Sequence, residues 1–233
     1  MADVMIERLK KLSTAVLADA CLRLGVPIRC APSEMQAMHD SMHCAGRVRP
    51  ARHSGSVDIF LEALEYAEPG EVLVVDDGGR NDRSAIGDMI SREVIMAGLS
   101  GIVLWGCHRD TRQILDLNLP FFSIGRIPNS PVTHDRRTPD DLKWARVGEW
   151  VVTSDDVVVG DADGVIFLAF DKLTSIVPVA EAIHEQERRQ SAIMRTGTSL
   201  RDQFYFKEYL EEREKNPSYE FRKHLEKVGG AIE

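Results

Sequence analysis

Apolar positions in this chain fall into two rhythms. Between Val57 and Ala67, the residues Ile59, Phe60, Ala63, Leu64 and Ala67 recur at threes and fours and predict a helix with one buried face. The turn "EPGE" (68–71) follows, and "VLVV" (72–75) predicts a short buried strand. The polar stretch from Asp76 to Asp88 reads as a loop. Ile86, Met89, Ile90, Ile95 and Leu99 then predict a second helix, and "IVLWG" (102–106) a second buried strand. Strand, helix and strand joined at this length form a βαβ unit, whose strands run parallel. "PFFSIG" (120–125) predicts a third strand in the same style.

The flanks read differently. Near the N-terminus Ser13 is placed to cap a helix, Leu12 and Leu17 have hydrophobic-staple spacing, and Gly25 sits where that helix stops. Pro27 and Pro32 mark irregular chain. Short β-rich runs between 149 and 170, separated by "SDD" and "DADG", predict antiparallel hairpins. A long helix is expected from about Lys172 to Thr196, stopping at Gly197, before a charged, mostly helical tail broken by Pro217. The expected organisation is an α/β domain over residues 1–199 with a helical C-terminal extension over 200–233.

Composition narrows the function classes. Hydrophobic residues make up 43% of the 233 residues, enough for a packed core and against disorder. The formal charge of −8, with no run of Lys or Arg, argues against a nucleic-acid partner. No apolar run approaches the roughly 18 residues of a membrane span, and "MADVMIERLKKLS" has no signal-peptide core. The four Cys (21, 30, 44, 107) lack CxxC spacing, so a cytoplasmic chain with reduced thiols and no membrane partner is expected.

Candidate chemistry collects at the strand ends. In a βαβ unit both strand C-termini lie on one sheet edge, where ligands tend to bind. That places Asp88, in the first turn of the crossover helix, near Arg109 and Asp110, twenty residues further on. Free amides at the helix start, from Ser84 to Met89, suit a carboxylate or phosphate. Arg109 can grip an anionic oxygen with two donors, and Asp88 and Asp110 are hard oxygen ligands suited to Mg2+. The spacing alone leaves a second reading open: a plain Arg-Asp ion pair, beside an Asp favoured by the helix dipole.

The segments "PGEVLVVDDGG", "AIGDMISREVIMAGLSGIV", "WGCHRD" and "DADGV", with "AGRVRP" (45–50), resemble the RraA-like family over roughly Leu12 to Gly197. That family includes class II 4-hydroxy-4-methyl-2-oxoglutarate / 4-carboxy-4-hydroxy-2-oxoadipate aldolases and RraA regulators of ribonuclease E. The resemblance implies a layered α/β/β/α fold like the swivelling phosphohistidine domains. It also implies a homo-oligomer, trimer or hexamer, with sites between subunits. It implies that Asp110 binds a divalent metal, Mg2+ or Mn2+, and that Asp88 holds water on it. Gly87, Asp88, Met89, Ile90 and Arg109 would bind the pyruvyl part of a small 2-oxo acid. Glu187 matches the glutamate that the aldolases bring from a neighbouring subunit. The implied function is a metal-dependent lyase that cleaves 4-hydroxy-2-oxo acids to pyruvate, with oxaloacetate decarboxylation through the same enolate. The alternative is an RraA-type protein-binding regulator of ribonuclease activity without catalysis.

Two positions depart from the aldolases. Trp105-Gly106 stands where they usually carry Asp-Gly, as in the regulator branch, and His108 replaces an apolar residue. Other candidates read as structural. His39, His43 and Cys44 lack a second ligand pair at zinc spacing. "DADG" lacks the start and terminal Glu of a calcium loop. "HEQER" (184–188) is not HExxH, and no base is placed for Cys107.

Overall fold

The computed structural model describes residues 2–132, 134 and 136–229. Residues 230–233 of the expected extension lie outside them. The chain divides into two compact units, Met1–Pro178 and Val179–Glu233.

The first unit opens with α1 (Ala2–Leu9) and α2 (Thr14–Leu24). Ser13 caps α2 by accepting from the Val16 amide, and Gly25 closes it in the left-handed region at φ 65°. Two-residue strands β1 (Arg29–Cys30) and β2 (Gln36–Ala37) follow, then β3 (Cys44–Arg52), α3 (Asp58–Glu65), β4 (Val72–Ile86), α4 (Asp88–Met96) and β5 (Gly101–His108). α5 (Thr111–Asp116), β6 (Phe121–Arg126) and the hairpins β7 (Trp144–Val147)–β8 (Trp150–Thr153) and β9 (Asp156–Asp161)–β10 (Gly164–Ala169) complete the strand set.

The main sheet runs β1-β10-β9-β3-β4-β5-β6-β2. Its centre, β3 to β6, is parallel, and antiparallel strands flank it on both sides. The strand-helix-strand expectation is therefore met: β4 and β5 are parallel neighbours joined through α4. Val72–Val75, Ile102–Leu104, Phe121 and Phe122 are fully buried, as expected of central parallel strands covered on both faces.

The 76–88 loop needs correction. It is not a free loop, because β4 keeps pairing with β5 through three register shifts, at Arg80↔Gly106, Ser84↔Cys107 and Ile86↔His108. Ten steps along β4 match three along β5. Gly78 and Gly79 supply consecutive left-handed residues (φ 70° and 66°) that throw the chain out of the sheet. Ser84, Ala85 and Ile86 then bring it back, and all three are buried. Ile86 thus ends a strand instead of starting a helix.

α6 (Leu173–Arg195) carries the chain into the second unit, which adds α7 (Leu200–Gln203), α8 (Phe206–Lys215) and α9 (Phe221–Val228). The break at Pro217 falls between α8 and α9. This unit has its own aromatic cluster, in which Tyr209 and Phe221 pack edge-on at 4.9 Å and His224 bonds the Phe204 carbonyl at 2.7 Å.

Candidate active site

The C-terminal ends of the parallel strands converge on a pocket of about 420 Å³ in the first unit. Gly87, Asp88, Met89, Ile90, Arg109 and Asp110 all line it. Six residues picked from two separate segments are brought together.

The local geometry explains their identities. Gly87 caps α4 without a side chain, so the amides of Asp88, Met89 and Ile90 have no intrahelical acceptor. One of them is taken: the Asp88 N–H donates to Asp110 Oδ2 at 3.4 Å. A Cβ at residue 87 would stand 2.3 Å from that same oxygen and 3.2 Å from Arg109 Nε. Only glycine leaves room for the Asp110 carboxylate to sit over the helix start.

Asp110 adopts the left-handed region (φ 57°, ψ 37°), a conformation costing a non-glycine residue about 1–2 kcal/mol and least for Asp or Asn. The turn is pinned on both sides, by Arg109 N–H to the Ile86 carbonyl (3.0 Å) and Ile114 N–H to the Asp110 carbonyl (3.0 Å). Arg109 Nε lies 3.5 Å from Asp110 Oδ2, with the side chains 44% and 36% exposed. The two are an ion pair, as the plain reading held, but one that opens onto the pocket. Arg109 Nη1 also donates to Ser130 Oγ.

The loop after β6 forms another wall. Ser84 donates from both its amide (2.9 Å) and its hydroxyl (2.8 Å) to the Asn129 carbonyl, which sets Ser130 and Pro131 beside Arg109. The β3–α3 connection supplies His53 and Val57. His53 Nδ1 donates to Asp77 Oδ1 at 2.8 Å, Arg83 Nη2 donates to the same oxygen at 2.7 Å, and the His53 ring stacks on Phe60. Asp77 and His53 are wholly buried, and Asp77 Oδ2, Arg83 Nε and Ser54 Oγ have no partner among the described residues. Sequence reasoning missed His53, Val57 and Ser130. The strand-end rule, applied to β3 and β6 as well as to β4 and β5, would have pointed to all three.

His108 faces the other side of the turn and does not line this pocket. Ser123 O–H donates to the Gly125 carbonyl (3.3 Å), so His108 Nδ1–H donates to Ser123 Oγ (2.8 Å) and Nε2 accepts from Thr111 Oγ1 (3.1 Å). Burial, aided by the Arg126 charge, pushes this imidazole down to about 4, which keeps it neutral. Trp105 packs against the core, with its ring filling the space beside Gly79.

Glu187 lies exposed on α6 in the second unit. In "HEQER", Glu185 is held well below the usual carboxylate range by hydrogen bonds from Arg188 and Arg189. His43 Nε2 meets the Leu12 carbonyl at 3.2 Å, and Cys44 is buried, its thiol pushed up to about 12 by desolvation.

The donor set fits a hard divalent ion. Asp110 presents a carboxylate to the pocket, and Asp88, 23% exposed, stands beside it with one oxygen 3.5 Å from Arg92 Nε. Among the described residues no group of three His, Cys, Asp or Glu converges. One or two carboxylates at an open pocket suit Mg2+, which keeps several waters, better than Zn2+, which takes three or four N/S/O side chains.

Comparison with known proteins places the chain. Residues 14–167 match the RraA-like family, described as Aldolase/RraA. A Pseudomonas fluorescens relative, named "Putative 4-hydroxy-4-methyl-2-oxoglutarate aldolase", is 32% identical over 109 residues, covering 43% of this chain and 65% of the relative. The chain therefore spans just under two thirds of that protein's length. A Halalkalibacterium halodurans relative of the same name is 30% identical over 160 residues, 66% of this chain and 75% of the relative. The crystal structure of Streptomyces coelicolor RraAS2, described as an unusual member of the RNase ES inhibitor RraA protein family, superimposes with a TM-score of 0.69 at 25% identity. It covers 82% of this chain and 96% of that one. With two thirds of its length matching the family's pattern and this mixed α/β fold, the chain belongs to the RraA-like family.

Proposed function

We propose that this chain is a divalent-metal-dependent lyase that cleaves 4-hydroxy-2-oxo acids to pyruvate by retro-aldol chemistry. The observation that carries the reading is the convergence of Arg109, Asp110 and the uncapped start of α4 on one pocket. The names of the aldolase relatives support it.

Asp110 would hold the ion, with Asp88 placed to hold water beside it. When bound, Mg2+ or Mn2+ supplies Lewis acidity toward a carboxylate and keto oxygen. The chain's own groups do the rest. The amides of Met89 and Ile90, at the positive end of α4, receive the substrate carboxylate. Arg109 donates to the oxygen that gains charge as the enolate forms. Asp88, directly or through a water, takes the proton from the 4-hydroxyl. Oxaloacetate decarboxylation leads to the same pyruvate enolate, so the same donors serve it.

The layered swivelling-domain arrangement, a trimer or hexamer, and a partner's Glu187 reaching the pocket belong to this reading. Among the described residues no helix is long and apolar enough to cross a membrane. A second reading, a regulator that acts through its surface, is favoured by the likeness to RraAS2.

The test is pyruvate release from 4-hydroxy-4-methyl-2-oxoglutarate and from oxaloacetate, with Mg2+, with EDTA, and in Asp110→Ala and Arg109→Ala. Metal-dependent release lost in both variants is expected. A folded, metal-loaded protein that turns over neither substrate sinks these activities and moves the regulator reading to first place.

A further inference from the structure

We infer that Ser130 is a positioning residue for Arg109, held in place by the returning end of β4. This rests on the aldolase reading and adds to its site a group that acts through the arginine.

Arg109 reaches the pocket on a long side chain that is 44% exposed. Such a side chain samples many rotamers unless its head is held. Here two edges of the guanidinium are taken. Nε lies 3.5 Å from Asp110 Oδ2, and Nη1 donates to Ser130 Oγ. Nη2 has no hydrogen-bond partner among the described residues, so both its protons are available to a ligand. Because the guanidinium is planar and rigid, fixing Nε and Nη1 fixes the direction of Nη2 as well.

Ser130 can steer an arginine only if its own backbone is steady. It lies exposed on the loop after β6, where an unanchored chain would move. Four hydrogen bonds anchor that loop just before Ser130. The Ile127 N–H donates to the His108 carbonyl at 2.9 Å, at the end of β5. The amide and hydroxyl of Ser84 both donate to the Asn129 carbonyl, at 2.9 and 2.8 Å. The Asn129 side-chain amide donates to the Asp82 carbonyl at 2.6 Å. Ser84 is itself 3% exposed and pairs with Cys107, two residues before Arg109. The brace therefore starts in the sheet beside β5, passes through Ser84, Asn129 and Ser130, and returns to Arg109. A chain that left the sheet at Asp76 without rejoining it would put no donor opposite Asn129. The irregular course of β4 gains a role in this way.

The effect falls on turnover more than on substrate affinity. Arg109 donates to the oxygen that gains charge as the enolate forms, so its aim matters most in the transition state. Loss of the Ser130 hydroxyl frees one edge of the guanidinium and lets that aim wander.

The test begins with kcat and KM for pyruvate release from 4-hydroxy-4-methyl-2-oxoglutarate, with Mg2+. Ser130→Ala should lower kcat by about tenfold to 10²-fold, with KM and melting temperature little changed. Ser130→Thr, which restores the hydroxyl, should recover most of the loss. Asn129→Ala, one residue off the pocket lining, should lower kcat in the same sense by cutting the bond to Asp82. Unchanged kcat in Ser130→Ala, or no recovery in Ser130→Thr, overturns the inference while leaving the aldolase reading standing.

A second measurement does not depend on turnover. Oxalate, a planar dianion shaped like pyruvate enolate, is titrated with Mg2+ into wild type, Ser130→Ala, Arg109→Ala and the double variant. Ser130→Ala should weaken oxalate in the wild-type background and change nothing once Arg109 is gone. Equal weakening in both backgrounds would make Ser130 a ligand contact in its own right and overturn its role through Arg109. If wild type releases no pyruvate, the aldolase reading falls and the oxalate cycle alone decides the role of Ser130. If wild type binds no oxalate either, Arg109 receives no such anion and the inference falls with it.

Discussion

Asp88 and Asp110 meet across the end of the parallel sheet: the backbone amide of one donates to the carboxylate of the other at 3.4 Å, over a residue, Gly87, that has no side chain to intervene. This contact joins the start of α4 to the turn after β5. It fixes where a carboxylate oxygen stands relative to the free amides of Met89 and Ile90.

Gly87→Ala tests that contact directly. The new Cβ would lie 2.3 Å from Asp110 Oδ2, so the carboxylate must swing away. Backbone at Gly87 is extended (φ −123°), so alanine adopts it without strain and the fold should lose only about 1–2 kcal/mol. Activity should fall by about 10²-fold or more, since misplacement by an ångström costs that much. Chemical denaturation and Mn2+ affinity measured side by side separate the two effects. Unchanged affinity and turnover would show that the carboxylate's position does not matter.

How much of this was legible in the sequence depends on which force set each element. The βαβ unit, Ser13 as a cap and Gly25 as a stop came from periodicity and capping, which are local. The convergence of Asp88 with Arg109 and Asp110 followed from strand parallelism alone. The re-pairing of β4 after Asp76 was not legible, because it depends on where β5 runs and on Trp105 filling the space beside Gly79. His53 was missed for a related reason: its importance comes from Asp77 and Arg83, which reach it only once β4 has been thrown out of the sheet.

His108 should impose a pH dependence on folding. Its imidazole is pushed down to about 4 in the folded chain from an ordinary 6.5. Above 6.5 both states are neutral there and it contributes nothing to the slope. As pH falls below 6.5 the unfolded state takes up a proton that the folded state refuses, so stability drops. The loss levels off below about 4. Between pH 7 and pH 5 the expected loss is about 2 kcal/mol, at 1.36 kcal/mol per pH unit. Urea unfolding of wild type and His108→Gln at the two pH values should differ by that amount. Parallel curves for the two proteins would exclude the effect.

Thr111→Val removes the hydroxyl that His108 Nε2 accepts from while keeping the side chain's shape. Leaving that buried nitrogen unpaired costs about 1–3 kcal/mol. Because Thr111 directly follows the left-handed Asp110, the turn should loosen as well, so kcat should fall more than KM rises. Thr111→Ser, which restores the hydroxyl, should recover kcat. No recovery would assign the defect to packing of the lost methyl.

The buried group behind the pocket separates charge from hydrogen bonding. Asp77→Asn leaves Arg83 buried opposite a neutral amide and removes the charge that orients His53, so a loss of about 3–5 kcal/mol is expected. Ser54→Ala, close by in sequence, deletes a buried hydroxyl that has no partner among the described residues. It should be neutral or slightly stabilising, since no hydrogen bond is lost and one desolvated polar atom is removed. Thermal unfolding of the two variants checks both. A destabilised Ser54→Ala would mean that an ordered water satisfies the hydroxyl and belongs to the network that Asp77 anchors.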